Sequence, residues 1–352
     1  MRIGVLTFHR CINYGSYWQA RCLVEGLRAS GHDAVLLDHE STRVTRAELR
    51  CAFQPLLPRR TARGDLPRYA AKARKFLHAF DALPRTKRFR LDAPETMPEQ
   101  DIGLVGSDEV WNHRHPWYGG EALFYGVGLK ARRRIAYAAS FGNQDATEGL
   151  HPWWAEQLRG FDAISVRDAN SRTLVREATG SDPPEVLDPC LQFPPDVPAE
   201  EAEAARPYCA VYGHSFPDWF VVSIRALAAR RGWQLRSIGY RNDWADEQRI
   251  EAGPHDFARV MAGASAVVTN FFHGCVFALL NEKPFVCAAS PYRANKLCDL
   301  TRAVGAGGHL VSEATDLGEY ARLLDSPLPP HVGARIAVLR QQSSHYLRHA
   351  LA

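Results

Sequence analysis

The sequence lacks the patterns that mark several common classes of protein. No apolar run approaches the roughly 20 residues that cross a bilayer, and residues 1–6 are too short and too strand-like for a signal peptide. The eight cysteines form no Cys-x-x-Cys pair and no metal-ligand spacing. No Gly-x-Gly-x-x-Gly follows the first apolar run, which argues against a dinucleotide site. We therefore expect a cytoplasmic protein with reduced, mostly buried cysteines, no bound metal and no cofactor.

Charge is unevenly distributed along the 352 residues, whose formal net charge is only +4. Residues 43–90 hold fourteen Lys or Arg against three acids. Such a run is usually a solvated helical face. The alternative is a platform for an acidic glycan, a lipid-linked saccharide or the anionic inner face of a membrane. We expect no nucleic acid as a partner, because no nucleic-acid motif accompanies the charge.

Short apolar runs alternate with amphipathic helical segments over most of the chain, a pattern typical of parallel α/β sheets. The pattern predicts an α/β fold of two doubly wound, Rossmann-like domains that face each other across a cleft. A stretch rich in proline, alanine and glutamate separates the two series and predicts a linker. The expected parts are an N-terminal domain at 1–192 with a basic helical insertion at 43–90, a linker at 193–207, a C-terminal domain at 208–330, and a final helix at 331–352. The sequence leaves open whether that helix packs back on the N-terminal domain.

Polar residues follow several predicted strands of the N-terminal domain. Because the carboxyl ends of parallel strands share one edge of a sheet, these residues should gather there. They are Asn13, Gly15 and Ser16 after the first strand, Ser107, Asp108 and Glu109 after 101–105, Ser140 after 134–138, and Arg167 after 161–166. Each also has a structural explanation. The first three are turn and capping residues, Asp108 is a helix N-cap, and Arg167 is a surface residue paired with Asp168.

The stretch Ser265–Pro284 carries the strongest signal in the C-terminal domain. Ala266–Thr269 is typical of a strand buried on both faces, and helical spacing begins at Phe272. His273 then lies in the first turn of a helix, where unpaired N–H groups favour an anion. A lone histidine there is more often structural, but its position at a strand end favours a functional role. Three other histidines are interpreted as ordinary: His9, His214 and His255.

Eight short stretches together match the pattern of one known family. They are Gly4–Phe8, Asn13–Ser16, Gly106–Asn112, Tyr137–Gly142, Ser165–Asp168, Leu187–Pro189, Thr269–Gly274 and Lys283–Phe285. Each stretch is weak by itself, but their order along the chain is specific. Over nearly its whole length the chain resembles the polysaccharide pyruvyl transferase family. This resemblance implies a transferase enzyme with a GT-B-like fold.

The resemblance also implies a reaction. Members typically take phosphoenolpyruvate and form a pyruvate ketal on two hydroxyls of a sugar, releasing phosphate, in the biosynthesis of cell-surface polysaccharides or glycoconjugates. The donor's phosphate and carboxylate require cations and oriented N–H groups. C3 of the enol requires a general acid, and the acceptor hydroxyl requires a base. The implied partners are phosphoenolpyruvate as co-substrate and a sugar, glycan or lipid-linked saccharide as acceptor.

These requirements assign roles to the candidate residues. His273 contacts the donor phosphate or protonates C3, and Asp108 is the base, with Glu109 as the alternative. The other donor-side candidates are the turn residues Asn270, Phe272 and Gly274, with Arg167 as first choice for an anion clamp and Arg293 with Lys296 as second. The acceptor-side candidates are Asn13, Gly15, Ser16, Ser107, Glu109 and Ser140. For Arg293 and Lys296, a solvated helical face is the competing interpretation.

Two positions depart from the family pattern. Phe271 stands before Phe272 and His273 where the family often has Arg-Leu-His, so an arginine contact to the donor phosphate is missing here. Glu109 stands where the acidic motif more often has glutamine. The first departure keeps two alternatives open: a GT-B glycosyltransferase that uses a nucleotide sugar, and a non-catalytic relative that binds a glycan or another ligand.

Overall fold

The computed structural model describes residues 1–198, 206–290 and 294–352. The chain divides into two compact units. The first unit comprises Met1–Glu48, Phe80–Pro194 and Ala337–Ala352, and the second comprises Leu49–Ala79 and Pro195–Ile336. Within the described ranges, no helix is both long enough and apolar enough to cross a membrane.

The elements follow the alternation expected of α/β proteins. The strands are β1 (Arg2–Leu6), β2 (Asp33–Leu36), β3 (His39–Glu40), β4 (Phe89–Arg90), β5 (Gln100–Val105), β6 (Ala131–Ala139), β7 (Ala163–Val166), β8 (Tyr208–Tyr212), β9 (Gln234–Ile238), β10 (Glu247–Arg249), β11 (Ala266–Thr269) and β12 (Phe285–Cys287). The helices are α1 (Tyr14–Ala29), α2 (Thr42–Phe53), α3 (Leu66–Asp81), α4 (Pro152–Arg159), α5 (Ala169–Thr179), α6 (Pro189–Gln192), α7 (Asp218–Arg231), α8 (Pro254–Gly263), α9 (Phe272–Leu280), α10 (Ala294–Ala303), α11 (Leu317–Asp325) and α12 (Pro330–Leu351).

The first unit is built on a five-stranded parallel sheet with the order β2-β1-β5-β6-β7. In this sheet Val5 of β1 pairs with Leu36 of β2 on one side and with Leu104 of β5 on the other. All three side chains are fully buried. Burial on both faces explains why these strands are apolar without alternation. The loops after β1, β5, β6 and β7 leave the same edge of the sheet.

The second unit contains another five-stranded parallel sheet, with the order β10-β9-β8-β11-β12. Val268 of β11 pairs with Val211 of β8 and with Val286 of β12, and all three are fully buried. Helices α7 and α11 contribute Phe220 and Tyr320 to the same hydrophobic core. The loops after β8, β9 and β11 share the carboxyl edge of this sheet.

The predicted strands agree closely with the structure where apolar runs are short and continuous. The apolar runs at 208–212, 234–238 and 266–269 each predict a strand, and these have the same bounds as β8, β9 and β11. The run Val186-Leu187-Asp188-Pro189 also predicts a strand, and that prediction is wrong. Pro189 begins helix α6 instead, and Asp188 caps that helix by accepting a hydrogen bond from the N–H of Cys190 (3.0 Å). An Asp-Pro pair is well suited to such a helix start, because proline at the first position has no N–H to satisfy.

The basic segment expected as an insertion on the N-terminal domain is divided differently in the structure. Residues 49–79 belong to the second unit. Helix α3 contacts that unit through its cations: Lys75 Nζ lies 2.6 Å from Asp256 Oδ2, and Arg68 Nε lies 2.6 Å from Glu251 Oε2. The charges that suggested a free platform are thus partly used to attach α3 to acids of the second unit.

Part of the expected linker lies outside the described residues, whereas the expected final helix lies within them. Within the expected linker at 193–207, residues 199–205 are not described. Helix α12 is described in full, and from Ala337 onward it belongs to the first unit. There Tyr346 Oη donates to Ala136 O (2.7 Å), and Ser343 Oγ accepts from the N–H of Leu187 (2.9 Å).

Candidate active site

The loop after β5 holds the first group of candidate residues in an uncommon backbone conformation. Gly106 has φ +111°, and a Cβ there would lie 2.3 Å from the carbonyl oxygen of Tyr137. Asp108 has φ +74°, a left-handed conformation that costs a non-glycine residue roughly 1–3 kcal/mol. The loop is held in place by the N–H of Ser140, which donates to Asp108 O (3.0 Å). Strain of this kind at a strand end is typical of functional sites.

The Asp108 carboxylate connects this loop to the start of α1. Ser16 Oγ donates to Asp108 Oδ2 (2.9 Å), and the N–H of Glu109 donates to Asp108 Oδ1 (2.9 Å). Asn13 caps α1, since its Oδ1 accepts from the N–H of Ser16 (3.2 Å). The Asp108 side chain remains 13% exposed. Asp108 is therefore oriented by the protein and still reaches solvent, as a general base requires.

The Arg167 side chain is buried and paired inside the first unit, so it is not the surface residue of the structural explanation, while its contact with the donor stays a prediction. Its side chain is 3% exposed, and Nη1 lies 3.2 Å from Oδ2 of the fully buried Asp188, while Nη2 lies 3.7 Å from Asp108 Oδ1. Burial by itself would lower the pKa of Arg167, but the nearby Asp108 and Asp188 carboxylates raise it. The guanidinium is thus not a surface group. It holds two carboxylates of its own unit in position.

Asp188 is a site residue that the sequence analysis did not single out. Its carboxylate binds Arg167 and caps α6. The Leu187-Asp188-Pro189 motif contained the signal, but it was interpreted as the end of a strand. We call Asp108, Glu109, Arg167, Asp168 and Asp188 the carboxylate cluster.

Two predicted acceptor residues are fully buried in this structure. Ser140 Oγ donates to Asp168 Oδ2 (2.6 Å). The carbonyl of Ser107 accepts from Thr7 Oγ1 (2.9 Å). Neither hydroxyl reaches solvent here, and contact of either residue with the acceptor stays a prediction. Gly15 is likewise buried within the first turn of α1.

Glu109 is buried, whereas Asp108 is partly exposed. Its Oε2 accepts from Asn112 Nδ2 (2.9 Å), and Asn112 Nδ2 also donates to Asn143 Oδ1 (3.0 Å). A Cβ on Gly142 would lie 2.2 Å from Glu109 Oε2, so the backbone of the next loop closes over this carboxylate. These contacts favour Asp108 over Glu109 as the base.

A second charged group in the first unit surrounds Asp38, which is fully buried. Asp38 accepts from Arg10 Nη2 (2.8 Å) and from Arg85 Nη1 (2.9 Å), and His9 Nε2 lies 3.0 Å from Oδ1. Burial would raise the pKa of Asp38, but these hydrogen bonds hold it well below its usual range. Burial lowers the pKa of the neighbouring His39 to about 3, so that ring stays neutral. This group stabilises the loop after β1.

In the second unit, the turn from β11 into α9 is shaped by Thr269. Its Oγ1 donates to Tyr212 O (2.6 Å) and accepts from the N–H of Phe271 (3.0 Å). A Cβ on Gly274 would lie 2.0 Å from that Oγ1, so only glycine fits this position. Asn270 Nδ2 donates to His214 O (2.7 Å), which ties the turn to the loop after β8. Asn270 and Gly274 thus shape the turn.

His273 and Phe272 lie in the first turn of α9, as predicted. The N-cap residue is Phe271, which supplies no side-chain oxygen to the first turn. The positive end of the helix dipole therefore favours an anionic group from outside the helix. His273 is 8% exposed, and its ring packs edge-on against Phe272 at 5.2 Å between centroids.

Phe271, which stands where the family often has an arginine, packs among other aromatic rings. Its ring packs edge-on against Tyr212 (5.1 Å), His214 (5.2 Å) and Tyr240 (5.5 Å). We call these four residues the aromatic cluster. Lys72 of α3 lies behind it, with Nζ 4.4 Å from the Tyr240 ring centroid and donating to Gly239 O (2.9 Å).

Of the two cations predicted to bind the donor in this unit, the structure describes only Lys296. Arg293 lies outside the described residues. Lys296 lies in α10 and is half-buried.

The cysteines have the expected environment for the most part. All eight are free thiols, and only Cys51 and Cys298 are not buried. Burial raises the pKa of the Cys11 thiol well above its usual value, which disfavours a reactive role for that loop cysteine.

Comparison with known proteins identifies the family. The sequence profile of the polysaccharide pyruvyl transferases matches residues 13–290. A search of curated proteins found no match.

Among solved structures, a UDP-N-acetylglucosamine 2-epimerase has a TM-score of 0.51 at 12% identity, covering 99% of this chain and 95% of that one. The epimerase from Neisseria meningitidis bound to UDP-GlcNAc has 0.49 at 9%, covering 99% and 100%. A glycosyltransferase from Streptomyces sp. SF2575 complexed with thymidine diphosphate has 0.47 at 15%, covering 98% and 96%. At these identities the likeness supports the fold alone.

The structure and these comparisons agree with the predicted α/β Rossmann-like fold, the class to which GT-B glycosyltransferases and their epimerase relatives belong. The family is one of transferases, so the non-catalytic alternative is set aside. The chain belongs to the polysaccharide pyruvyl transferase family.

Proposed function

We propose that the protein transfers the pyruvyl group of phosphoenolpyruvate to two hydroxyls of a sugar or glycan, in the biosynthesis of a cell-surface polysaccharide or glycoconjugate. The observation that carries the proposal is the Asp108–Ser16 pair in a chain of this family. A carboxylate that is oriented, still reaches solvent and lies at the carboxyl edge of a parallel sheet is well suited to remove a proton from a hydroxyl.

The chemistry divides into two additions at C2 of the donor. C3 takes a proton from a general acid, one acceptor oxygen bonds to C2, and phosphate leaves with the electrons of its C2–O bond. The second acceptor oxygen then bonds to C2 and closes the ketal. Two hydroxyl protons are released in total, one replacing the proton given to C3 and one accompanying phosphate. Asp108 receives a hydroxyl proton and His273 supplies the proton to C3 in this proposal.

The donor side is assigned to the turn from β11 into α9. The N-terminus of α9 offers helix-dipole stabilisation to phosphate. Asn270, Phe272 and Gly274 shape this turn, and Lys296 and Arg293 stay assigned as donor cations. Arg167 is reassigned from the donor to the positioning of Asp108, because its side chain is buried between Asp108 and Asp188.

The proposal includes a cytoplasmic location, since phosphoenolpyruvate is made there. It includes no metal and no further cofactor, so activity is expected to survive EDTA. Contact between residues 43–90 and an anionic membrane also stays a proposal. Arg68 and Lys75 of that segment are already paired with acids of the second unit, which leaves fewer cations for a lipid surface.

One observation favours a second candidate, glycosyl transfer from a nucleotide sugar. Phe271, a partly exposed ring of the aromatic cluster, stands where the family often has an arginine, and planar bases stack on aromatic rings. A thermal-shift comparison of phosphoenolpyruvate with a panel of nucleotide sugars separates the two. Stabilisation by phosphoenolpyruvate alone supports pyruvyl transfer, whereas stabilisation by a nucleotide sugar alone contradicts it.

The direct test of His273 is phosphate release from phosphoenolpyruvate in the presence of an acceptor panel. The variant His273→Ala is expected to lose turnover by about 10²- to 10⁴-fold if it supplies the proton to C3. His255→Ala, which changes an exposed histidine of α8, is the matched control and is expected to keep wild-type activity. Unchanged turnover in a folded His273→Ala protein would contradict the assignment.

A further inference from the structure

Trp153 is an exposed tryptophan of the first unit that the candidate site does not use. It is the second residue of α4 and is 44% exposed. Its ring lies edge-on to the partly buried Trp154 with centroids 4.4 Å apart, and the Trp154 ring lies 4.6 Å from that of His113. We call these three residues the tryptophan surface. A ligand that covers an exposed indole removes apolar area from water, which favours binding.

The inner part of this surface is fixed by the protein. Trp154 packs on Tyr125, with ring centroids 4.4 Å apart. Tyr125 Oη donates to Trp111 O (2.8 Å) and also contacts His113 Nε2. Burial lowers the pKa of His113, so its ring is neutral at pH 7. Trp153 therefore rests on a rigid aromatic base and does not itself complete a core.

The tryptophan surface is continuous with the carboxylate cluster. Glu109 Oε2 accepts from Asn112 Nδ2 (2.9 Å), and His113 is the next residue along the chain. Asn112 also contacts Asn143 (3.0 Å), in the loop after β6 that leads to α4. One hydrogen bond, the step along the chain from Asn112 to His113, and two ring contacts thus connect Glu109 to Trp153. Single exposed apolar residues are common on proteins, but this one is an extension of the candidate site.

Polar groups flank the rings. Arg114 and Glu148 form an exposed ion pair, with Arg114 next to His113 and Glu148 in the loop that precedes α4. A pyranose has one face of C–H groups and a rim of hydroxyls. The C–H face packs on the electron-rich face of an indole, and the hydroxyls bond to neighbouring charged and amide groups. An exposed indole beside charged groups matches that chemistry, so we take a saccharide as the occupant of this surface.

We propose that Trp153 binds a sugar residue of the acceptor other than the one that receives the pyruvyl group. The inference depends on the proposed function for the identity of the acceptor, and it deepens that function by assigning a residue that contacts the acceptor away from the reacting hydroxyls. Trp153 is a specificity-determining residue in this proposal. It contributes to binding and leaves the chemical step unchanged.

The test uses the full chain and three variants: Trp153→Ala, Trp153→Phe and the matched control Trp219→Ala. Trp219 is also the second residue of its helix, α7, and lies in the other unit. Equilibrium binding is measured on an array of mono- to hexasaccharides. Kinetics with phosphoenolpyruvate then use the best oligosaccharide and its monosaccharide as acceptors.

The expected result is that the wild type prefers at least one oligosaccharide to its monosaccharide. Trp153→Ala is expected to weaken that affinity and raise the acceptor KM by about tenfold, with kcat unchanged, while the phenylalanine variant recovers most of the loss. Trp219→Ala is expected to behave as wild type. Equal oligosaccharide binding by wild type and Trp153→Ala, or no oligosaccharide preference in the wild type, overturns the proposal.

Failure of this inference is distinguishable from failure of the proposed function. Oligosaccharide binding that depends on Trp153, without phosphate release from phosphoenolpyruvate, supports the surface and contradicts pyruvyl transfer. Phosphate release with an unchanged acceptor KM in Trp153→Ala supports pyruvyl transfer and contradicts the surface.

Discussion

The residues that follow the strands are held in place by different kinds of interaction in the two units. In the first unit, the carboxylate cluster holds four acids around one buried arginine, and its geometry is set by charged hydrogen bonds. In the second unit, the turn into α9 is shaped by Thr269, and in the adjoining aromatic cluster the Phe271 ring is in edge-on contact with its neighbours. The first group can accept protons, and the second offers a helix N-terminus to an anion.

This difference separates the expected roles of the two units. In the proposed function, Arg167 neutralises Asp108 and Asp188 and does not bind the donor. Donor recognition is then proposed to depend on the dipole of α9 and on His273, with Phe271 in the position of an arginine. A base in one unit and an anion-binding turn in the other are the two functions that pyruvyl transfer needs.

The largest expected effect is that of Asp108→Asn. The amide still accepts from Ser16 but cannot take a proton, so acceptor-dependent turnover should fall by about 10²- to 10⁴-fold. Phosphate release measures it, and Asp145→Asn, which changes an exposed capping aspartate, is the control. Turnover within a few fold of wild type would remove Asp108 from the role of base.

Replacing the buried Arg167 tests whether this residue stabilises its own unit or binds the donor. Arg167→Met leaves Asp188 and Asp108 without their cation, so the free energy of unfolding should fall by about 3–5 kcal/mol. Chemical denaturation measures this loss, with the exposed Arg159→Met as control. If the variant unfolds like the wild type and instead loses affinity for phosphoenolpyruvate, Arg167 is the donor clamp after all.

A glycine substitution tests the turn of the second unit. In Gly274→Ala the new Cβ meets Thr269 Oγ1 at 2.0 Å, so we expect a loss of about 1–3 kcal/mol in stability and weaker donor binding. Gly333→Ala is the matched helical control, because nothing lies within 4 Å of its Cβ position. Thermal unfolding with and without phosphoenolpyruvate measures both effects. Equal melting temperatures for the two variants would mean that the turn tolerates displacement of Thr269.

The effect that is smallest near neutral pH is a pH dependence of stability that comes from the loop after β1. Burial lowers the pKa of folded His39 to about 3, whereas the unfolded chain binds that proton near the ordinary value of about 6.5. Stability is therefore complete above about pH 6.5 and falls by about 1.4 kcal/mol per pH unit as the pH drops toward 3. The lowered pKa of Asp38 acts in the same direction at still lower pH.

The variant His39→Asn isolates that contribution. Its unfolding midpoint should depend less on pH between 6.5 and 5 than that of the wild type, while the exposed His331→Asn should match the wild type. Identical pH profiles for His39→Asn and the wild type would mean that His39 is protonated in the folded protein.

The fold was predictable where burial alone decides the structure. Strands such as β8 and β11 are continuous apolar runs, and their bounds follow from composition. The gathering of Ser16, Asp108 and Arg167 at one edge followed from parallel topology. What could not be predicted depends on partners far along the chain. Arg167 is buried because Asp188 lies beside it, and α3 joins the second unit because Asp256 and Glu251 bind its cations.

The central claim is pyruvyl transfer from phosphoenolpyruvate to a saccharide, and mass spectrometry of the acceptor tests it most directly. The purified full chain is incubated with phosphoenolpyruvate and the best-bound oligosaccharide, and phosphate is measured in parallel. We predict an acceptor whose mass has increased by one pyruvyl ketal, with one phosphate released per ketal formed and neither product in Asp108→Asn. An unmodified acceptor, together with glycosylation when a nucleotide sugar replaces phosphoenolpyruvate, would contradict the account.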